Sequence, residues 1–210
     1  MLLRRVNLAG HLGPSNSKLI KLGVNKIPIW FIGYHGGIIN LLKIIKKGAP
    51  DKNIVVFNFD AHTDNERGKS LNGSWVYEAV ERQKIVSRVF HMETFWKAGK
   101  DICEKWQNPE DFHQIKGYLK KNNPLGVISI DFDYFSLSDE VLEERKWEDI
   151  YHRSPGEVQL MIEEIIKFIK KIKINVAGIV LAESKRCLST KADGAYINML
   201  IKECKKLAKN

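Results

Sequence analysis

The sequence predicts an α/β protein with a three-layer αβα architecture and a mainly parallel central sheet. Two observations support this prediction. Five short apolar segments, typical of strands buried on both faces, recur along the chain, and segments with helical periodicity lie between them. Strands that alternate with helices form right-handed βαβ units, which place a parallel sheet between two helical layers. A chain of 210 residues is expected to form one domain, here residues 1–210.

The expected strands are the most apolar stretches of the chain. They are IPIWFIGY (27–34), IVVFNF (54–59), SRVFHM (87–92), LGVISID (125–131) and NVAGIVLA (175–182). The opening segment, MLLRRVNLAG, places two arginines where a signal peptide needs apolar residues. We therefore expect it to be mature sequence that contributes a first strand.

Helical patterns occupy the intervals between these strands. The expected helices cover residues 37–47, 74–83, 109–121, 154–173 and 194–210. The fourth is the clearest, because Pro155 suits the first position of a helix. Residues 134–153 have no regular pattern, and we expect them to form a loop or an insertion over the functional site.

The composition excludes several classes of protein. No apolar run approaches the roughly 18 residues of a membrane-spanning helix. Three widely spaced cysteines (Cys103, Cys187 and Cys204) argue against disulfides and zinc–thiolate sites, so a cytoplasmic location is expected. The net charge of +9 is carried by lysines spread over helical segments, without interleaved aromatic residues. This pattern favours a solvated surface over nucleic-acid binding.

Three of the expected strands end in side chains that bind metal ions. These side chains are His35, Asp60, His62, Asp64, Asp131 and Asp133. Residues two apart on a strand project to the same side, and sites in open α/β sheets form outside the carboxyl ends of strands. Four carboxylates at one place repel one another, and two divalent cations would offset that charge. Aspartate-rich, sulfur-free ligation favours Mn²⁺ over Zn²⁺.

These motifs resemble those of the ureohydrolase side of the arginase/deacetylase superfamily. DAHTD (60–64) matches the first ureohydrolase motif, and SIDFD (129–133) resembles the second, Ser-x-Asp-x-Asp. His35 falls where the family places its first metal-binding histidine, although GYHGG replaces the usual Gly-Gly-Asp-His-Ser. The form of the motifs and the short chain are similar to a compact branch that includes peptide arginases, which convert arginine residues in peptides to ornithine. The resemblance spans roughly residues 27–190.

The resemblance implies a metal-dependent hydrolase that acts on a C–N bond of a guanidino group and releases urea. It implies that Asp60 and Asp131 contact both metal ions and take part in catalysis. His35 and Asp64 would complete one metal site, and His62 and Asp133 would complete the other. Two Mn²⁺ ions are the expected cofactor, with Zn²⁺, Fe²⁺ or Co²⁺ as alternatives.

Residues for substrate binding follow from the same resemblance. Glu183, at the end of NVAGIVLAES, lies where arginases hold the guanidinium group, and its carboxylate could pair with a guanidinium through two hydrogen bonds. Arginases carry a proton-shuttling histidine after DAHTD, and this chain has none there. Asn72 and Trp75 are expected to shape the pocket instead. Whether His91, His152 or neither of them acts as the proton shuttle stays open.

Two alternatives stay open on the sequence alone. The first keeps the fold and changes the reaction, to hydrolysis of an acetylated amine by a deacetylase-like enzyme. The second is a non-catalytic protein that binds nucleic acid through its basic charge. The expected partner is a small molecule or peptide that carries a guanidino or amide group, with no membrane partner, and homo-oligomer formation is left open.

Overall fold

The computed structural model of the chain describes residues 20–21, 27–33, 35–60, 64, 71–92, 109–137, 151–152, 155–182 and 193–207. Within these ranges, no helix combines the length and the hydrophobicity that crossing a bilayer requires. The first ten residues, where a first strand is expected, lie outside them.

A six-stranded sheet forms the centre of the fold. In chain order, its strands are β1 (Ile20–Lys21), β2 (Ile29–Ile32), β3 (Ile54–Phe59), β4 (Arg88–Met92), β5 (Leu125–Asp131) and β8 (Asn175–Ala182). Their order across the sheet is β1-β2-β8-β5-β3-β4. All neighbouring pairs are parallel except β1 and β2. The predicted mainly parallel sheet is therefore confirmed, and β3, β5 and β8 have the predicted boundaries.

In the described part of the chain, five α-helices accompany the sheet, close to the expected positions. They are α1 (Ile38–Gly48), α2 (Leu71–Tyr77), α3 (Pro109–Asn122), α4 (Pro155–Ile172) and α5 (Asp193–Leu207). Helix α4 starts at the proline that the sequence marks as its first position. Helix α2 differs from its prediction, since it begins three residues earlier and continues as a π-helical turn, Glu78–Arg82.

Two separate hydrophobic cores show that helices cover both faces of the sheet. Because side chains alternate along a strand, Val55 and Phe57 of β3 belong to one core, and Ile54 and Val56 belong to the other. Residues of α3, α4 and α5 pack in the first core. Residues of α1 and α2 pack in the second. The structure is therefore the three-layer αβα arrangement that the sequence predicts.

The segment 134–153 is more regular than expected where the structure describes it. A 3-10 helix, Phe132–Phe135, leads into β6 (Ser136–Leu137), which pairs antiparallel with β7 (Tyr151–His152). Backbone pairing therefore orders both ends of the segment, and its expected role as a loop or an insertion over the functional site stays a prediction. Residues 138–150 lie outside the described part of the chain.

Truncating Phe57 should destabilise the fold strongly. Its ring is fully buried, and its centroid lies 5.1 Å from that of Phe90 and 5.4 Å from that of Phe168. We expect Phe57→Ala to lower the free energy of unfolding by about 3–5 kcal/mol, since it removes apolar area and leaves a cavity. Denaturant unfolding of the metal-free protein measures this. Leu160→Ala is the control: Leu160 is 63% exposed, so a change of similar size there would contradict the expectation.

Candidate metal centre

Four of the predicted ligands converge at the carboxyl edge of the sheet. His35 opens a short 3-10 helix, His35–Gly37, after β2. Asp60 directly follows β3, and Asp131 is the last residue of β5. Asp64 lies four residues beyond Asp60. These residues, here called the His35 cluster, are between 1% and 8% exposed.

Three carboxylate oxygens of the His35 cluster surround one nitrogen atom, Nδ1 of His35. His35 Nδ1 lies 3.0 Å from Asp60 Oδ2, 2.9 Å from Asp64 Oδ2 and 3.0 Å from Asp131 Oδ2. Candidate ligand atoms of His35, Asp60 and Asp131 all lie within 4.8 Å of one another. The sequence motifs are separated by up to 96 positions, and the ends of neighbouring strands bring them together.

The charges of this cluster perturb its protonation. Burial lowers the pKa of His35, but the negative charges of Asp131 and Asp60 outweigh it, and the pKa lies well above its ordinary value. Burial raises the pKa of Asp64 to about 6, the close contact with His35 opposes the shift, and the charge of Asp60 adds to it. The cluster therefore takes up protons readily when nothing else offsets its negative charge.

The donor set fits a divalent metal ion. Although three carboxylate oxygens surround His35 Nδ1, this buried atom has no hydrogen-bond partner in suitable geometry among the described residues. One N–H group cannot be directed at three acceptors, whereas ligands normally converge on a cation from several directions. Carboxylate oxygens with one imidazole nitrogen suit Mn²⁺ and related ions.

Two further polar side chains, which were not predicted from the sequence, lie on strands of the sheet and contact the predicted ligands. Ser129 Oγ lies 2.8 Å from Nε2 of His35, and Asn58 Nδ2 donates to Asp60 Oδ2 at 3.1 Å. Both are fully buried, and they lie opposite each other in the register of β3 and β5. A signal was present: each is a polar residue inside an apolar strand, two positions before an aspartate.

Helix α2 provides the next contact. Trp75, predicted to bind substrate, is fully buried, and its Nε1 donates to Asp64 Oδ2 at 2.7 Å. Asn72 lies in the first turn of the same helix, but its side chain is outside what the structure describes. Roles for both residues in substrate binding stay predictions.

The remaining predicted residues are only partly described. Asp133 lies in the 3-10 helix after β5, without a described side chain, and His62 and Glu183 lie outside the described residues. His91 of β4 is the register partner of Asn58, so it faces the same side of the sheet as the cluster. His152 lies in β7. The second metal site, which His62 and Asp133 are expected to complete, therefore stays a prediction.

Comparison with solved structures identifies the fold. The arginase of Helicobacter pylori matches with a TM-score of 0.59 and 10% identity over 89% of this chain and 75% of its own. A hypothetical agmatinase from Burkholderia thailandensis matches with a TM-score of 0.54 and 14% identity over 85% and 58% of the two chains. A triple mutant of the T. brucei arginase-like protein, bound with Mn²⁺, matches with a TM-score of 0.51 and 16% identity over 88% and 61%.

These structures belong to the arginase/ureohydrolase superfamily, as the motifs predicted. The chain spans 58% of the length of the agmatinase and 61% of that of the arginase-like protein. No protein-family model and no curated protein sequence matches it. At this level of identity the comparison establishes the architecture, and the chain has the arginase/ureohydrolase fold.

Proposed function

We propose that the protein is a dinuclear, metal-dependent hydrolase of a C–N bond, with a guanidino group as substrate. The observation that carries the proposal is the convergence of three carboxylates on Nδ1 of His35 at the carboxyl edge of an arginase-like sheet. This part of open α/β sheets is where catalytic sites form. The single domain over residues 1–210, the cytoplasmic location and any oligomeric state stay predictions.

The residues of the His35 cluster would hold one metal ion, and His62 and Asp133, together with Asp60 and Asp131, would hold a second. We propose Mn²⁺ because the donors are mostly carboxylates, with Zn²⁺, Fe²⁺ or Co²⁺ as alternatives. When bound, two such ions supply Lewis acidity and lower the pKa of water toward neutrality.

The protein's own side chains set the protonation of the histidine ligand. When Nε2 of His35 donates its proton to Ser129 Oγ, Nδ1 is the nitrogen that would give up its proton and bind a metal ion beside Asp60 and Asp131. The amide of Asn58 holds one oxygen of Asp60 in the same direction. Both ligands therefore keep their orientation before a metal ion arrives, which reduces the ordering that binding requires.

Substrate recognition is assigned to residues beyond the described cluster. We propose that the carboxylate of Glu183 pairs with the guanidinium group and that Asn72 contributes to the pocket wall. The substrate would be a small guanidino compound or an arginine side chain in a peptide. A peptide is supported by the resemblance of the chain's motifs to those of peptide arginases.

The two rival functions make different predictions. A deacetylase-like amide hydrolase would use the same fold with fewer carboxylates and zinc, whereas three carboxylates already meet at His35 here. A nucleic-acid-binding protein would need its lysines on a binding surface. The lysines in the last turns of α1, α3, α4 and α5 stabilise the helix dipole, and this role needs no nucleic acid.

Urea release is the direct test of the proposed reaction. Protein loaded with Mn²⁺, with its metal content verified, is offered free arginine, agmatine and an arginine-containing peptide in parallel. We expect urea from at least one of them, and a clear preference for free arginine would argue against the peptide. Asp131→Asn should abolish release because it removes a ligand, whereas Glu163→Gln, at an exposed carboxylate of α4, should not. No urea from protein that holds two ions would exclude the guanidino substrate.

Binding of Mn²⁺ should release protons and weaken in acid. In the metal-free protein the pKa of His35 lies above its ordinary value and that of Asp64 is about 6, so each group holds, below its own pKa, a proton that a metal ion must displace. Below these pKa values we expect the affinity to fall roughly tenfold per pH unit for each proton displaced. Calorimetry in two buffers of different ionisation enthalpy counts the protons. An affinity that does not change between about pH 5.5 and pH 8 would contradict the expectation.

Removing the hydroxyl of Ser129 should weaken metal binding without unfolding the protein. We expect Ser129→Ala to raise the dissociation constant for Mn²⁺ by roughly 10- to 100-fold, because Nε2 of His35 loses the partner that fixes the ring. Ser87→Ala is the matched control, since Ser87 Oγ donates to the carbonyl of Ile54 at the opposite end of β3. Equal effects of the two substitutions would show that the hydroxyl of Ser129 has no special role.

A further inference from the structure

The backbone of Asp64 adopts a conformation that aspartate seldom takes. Its φ angle is 48°, in the left-handed region that non-glycine residues populate only when their surroundings compensate the strain. It is also only 8% exposed, and its carboxylate lies beside His35. Some other part of the fold must therefore hold Asp64 in place.

Helix α2 holds it at two points. Nε1 of Trp75 donates to Asp64 Oδ2 at 2.7 Å, and the backbone N–H of Val76 donates to the carbonyl of Asp64 at 3.0 Å. One contact orients the carboxylate, and the other fixes the peptide group. Hydrogen bonds to an ionised carboxylate are among the stronger ones in proteins, especially when they are shielded from water as here.

The same indole also packs against the histidine ligand. The centroids of the Trp75 and His35 rings lie 5.3 Å apart, at an interplanar angle of 51°. Trp75 has no exposed surface. Trp75 thus contacts two members of the His35 cluster. Its N–H donates to the carboxylate of Asp64, and its ring packs against the imidazole of His35.

We propose that Trp75 is a positioning residue of the metal site, and that it acts through Asp64. The indole N–H holds Asp64 in its left-handed conformation with Oδ2 beside Nδ1 of His35, so the ligand is oriented before metal binds. This inference rests on the proposed function, because it assigns Asp64 to the metal site. It gives Trp75 a task other than the contact with substrate that the sequence suggested.

A double-mutant cycle tests whether Trp75 acts through Asp64. Trp75→Phe keeps an aromatic ring and removes the N–H. Asp64→Gly removes the acceptor and tolerates a φ of 48°. Free Mn²⁺, measured by its paramagnetic resonance signal, gives the dissociation constant for each variant and for the double variant.

We expect Trp75→Phe alone to weaken Mn²⁺ binding by roughly 10- to 100-fold. In the Asp64→Gly background the same substitution should change binding less than about threefold, because the contact is already lost. Equal factors in both backgrounds would overturn the proposal, since they would indicate a general effect on the fold. Trp30→Phe, in β2, is the matched control, and thermal unfolding without metal shows whether each variant folds.

A measurement on the unmutated protein covers the case in which Trp75→Phe does not fold. The indole N–H signal of Trp75, assigned by nuclear magnetic resonance, should exchange slowly with solvent and should shift when diamagnetic Zn²⁺ binds. A rapidly exchanging N–H, or one that Zn²⁺ leaves unchanged, would overturn the proposal. If the protein binds no metal ion, the proposed function fails, and slow exchange still decides whether the bond between Trp75 and Asp64 forms.

Discussion

Repulsion among buried carboxylates is the constraint on which the functional edge of this protein depends. Asp60, Asp64 and Asp131 all place an oxygen about 3 Å from one nitrogen of His35, in a site nearly closed to water. Burying several like charges without compensation costs several kcal/mol, or else forces protonation. His35 can supply at most one positive charge against three negative ones. A divalent cation would offset more of that charge and would therefore stabilise the arrangement.

The order of the strands determines how such a cluster can form. β8 lies between β2 and β5, so His35, after β2, must reach across the end of β8 to meet Asp131. Two strand spacings make this span about 9.5 Å. The last residue of β8 is Ala182, in register with Ile32 of β2 and Asp131 of β5, and it is fully buried. The strand that separates β2 from β5 thus ends in a small side chain.

The parallel strands and the four residues of the His35 cluster could be predicted from the sequence. The start of α2 and the contacts that support the cluster could not. The strands β3, β5 and β8 are continuous apolar runs with polar ends, so their boundaries and the position of Asp60 and Asp131 could be read directly. Helix α2 begins with Leu71, Asn72 and Gly73, and the last two favour helices poorly, so its start depends on tertiary contacts. The contacts of Ser129 with His35 and of Trp75 with Asp64 join residues 94 and 11 positions apart. No local pattern encodes such pairs.

The lysines in the last turns of three helices do not neutralise the acidic cluster, because they lie at the opposite edge of the sheet. Helices in this fold run against the strands, so the lysines in the last turns of α1, α3 and α4 lie near the amino ends of β3, β5 and β8. The six residues of β3 separate these lysines from Asp60 by about 20 Å, whereas physiological salt screens exposed charges within roughly 8 Å. A basic chain can thus contain a cluster of three buried carboxylates whose charge these lysines do not offset.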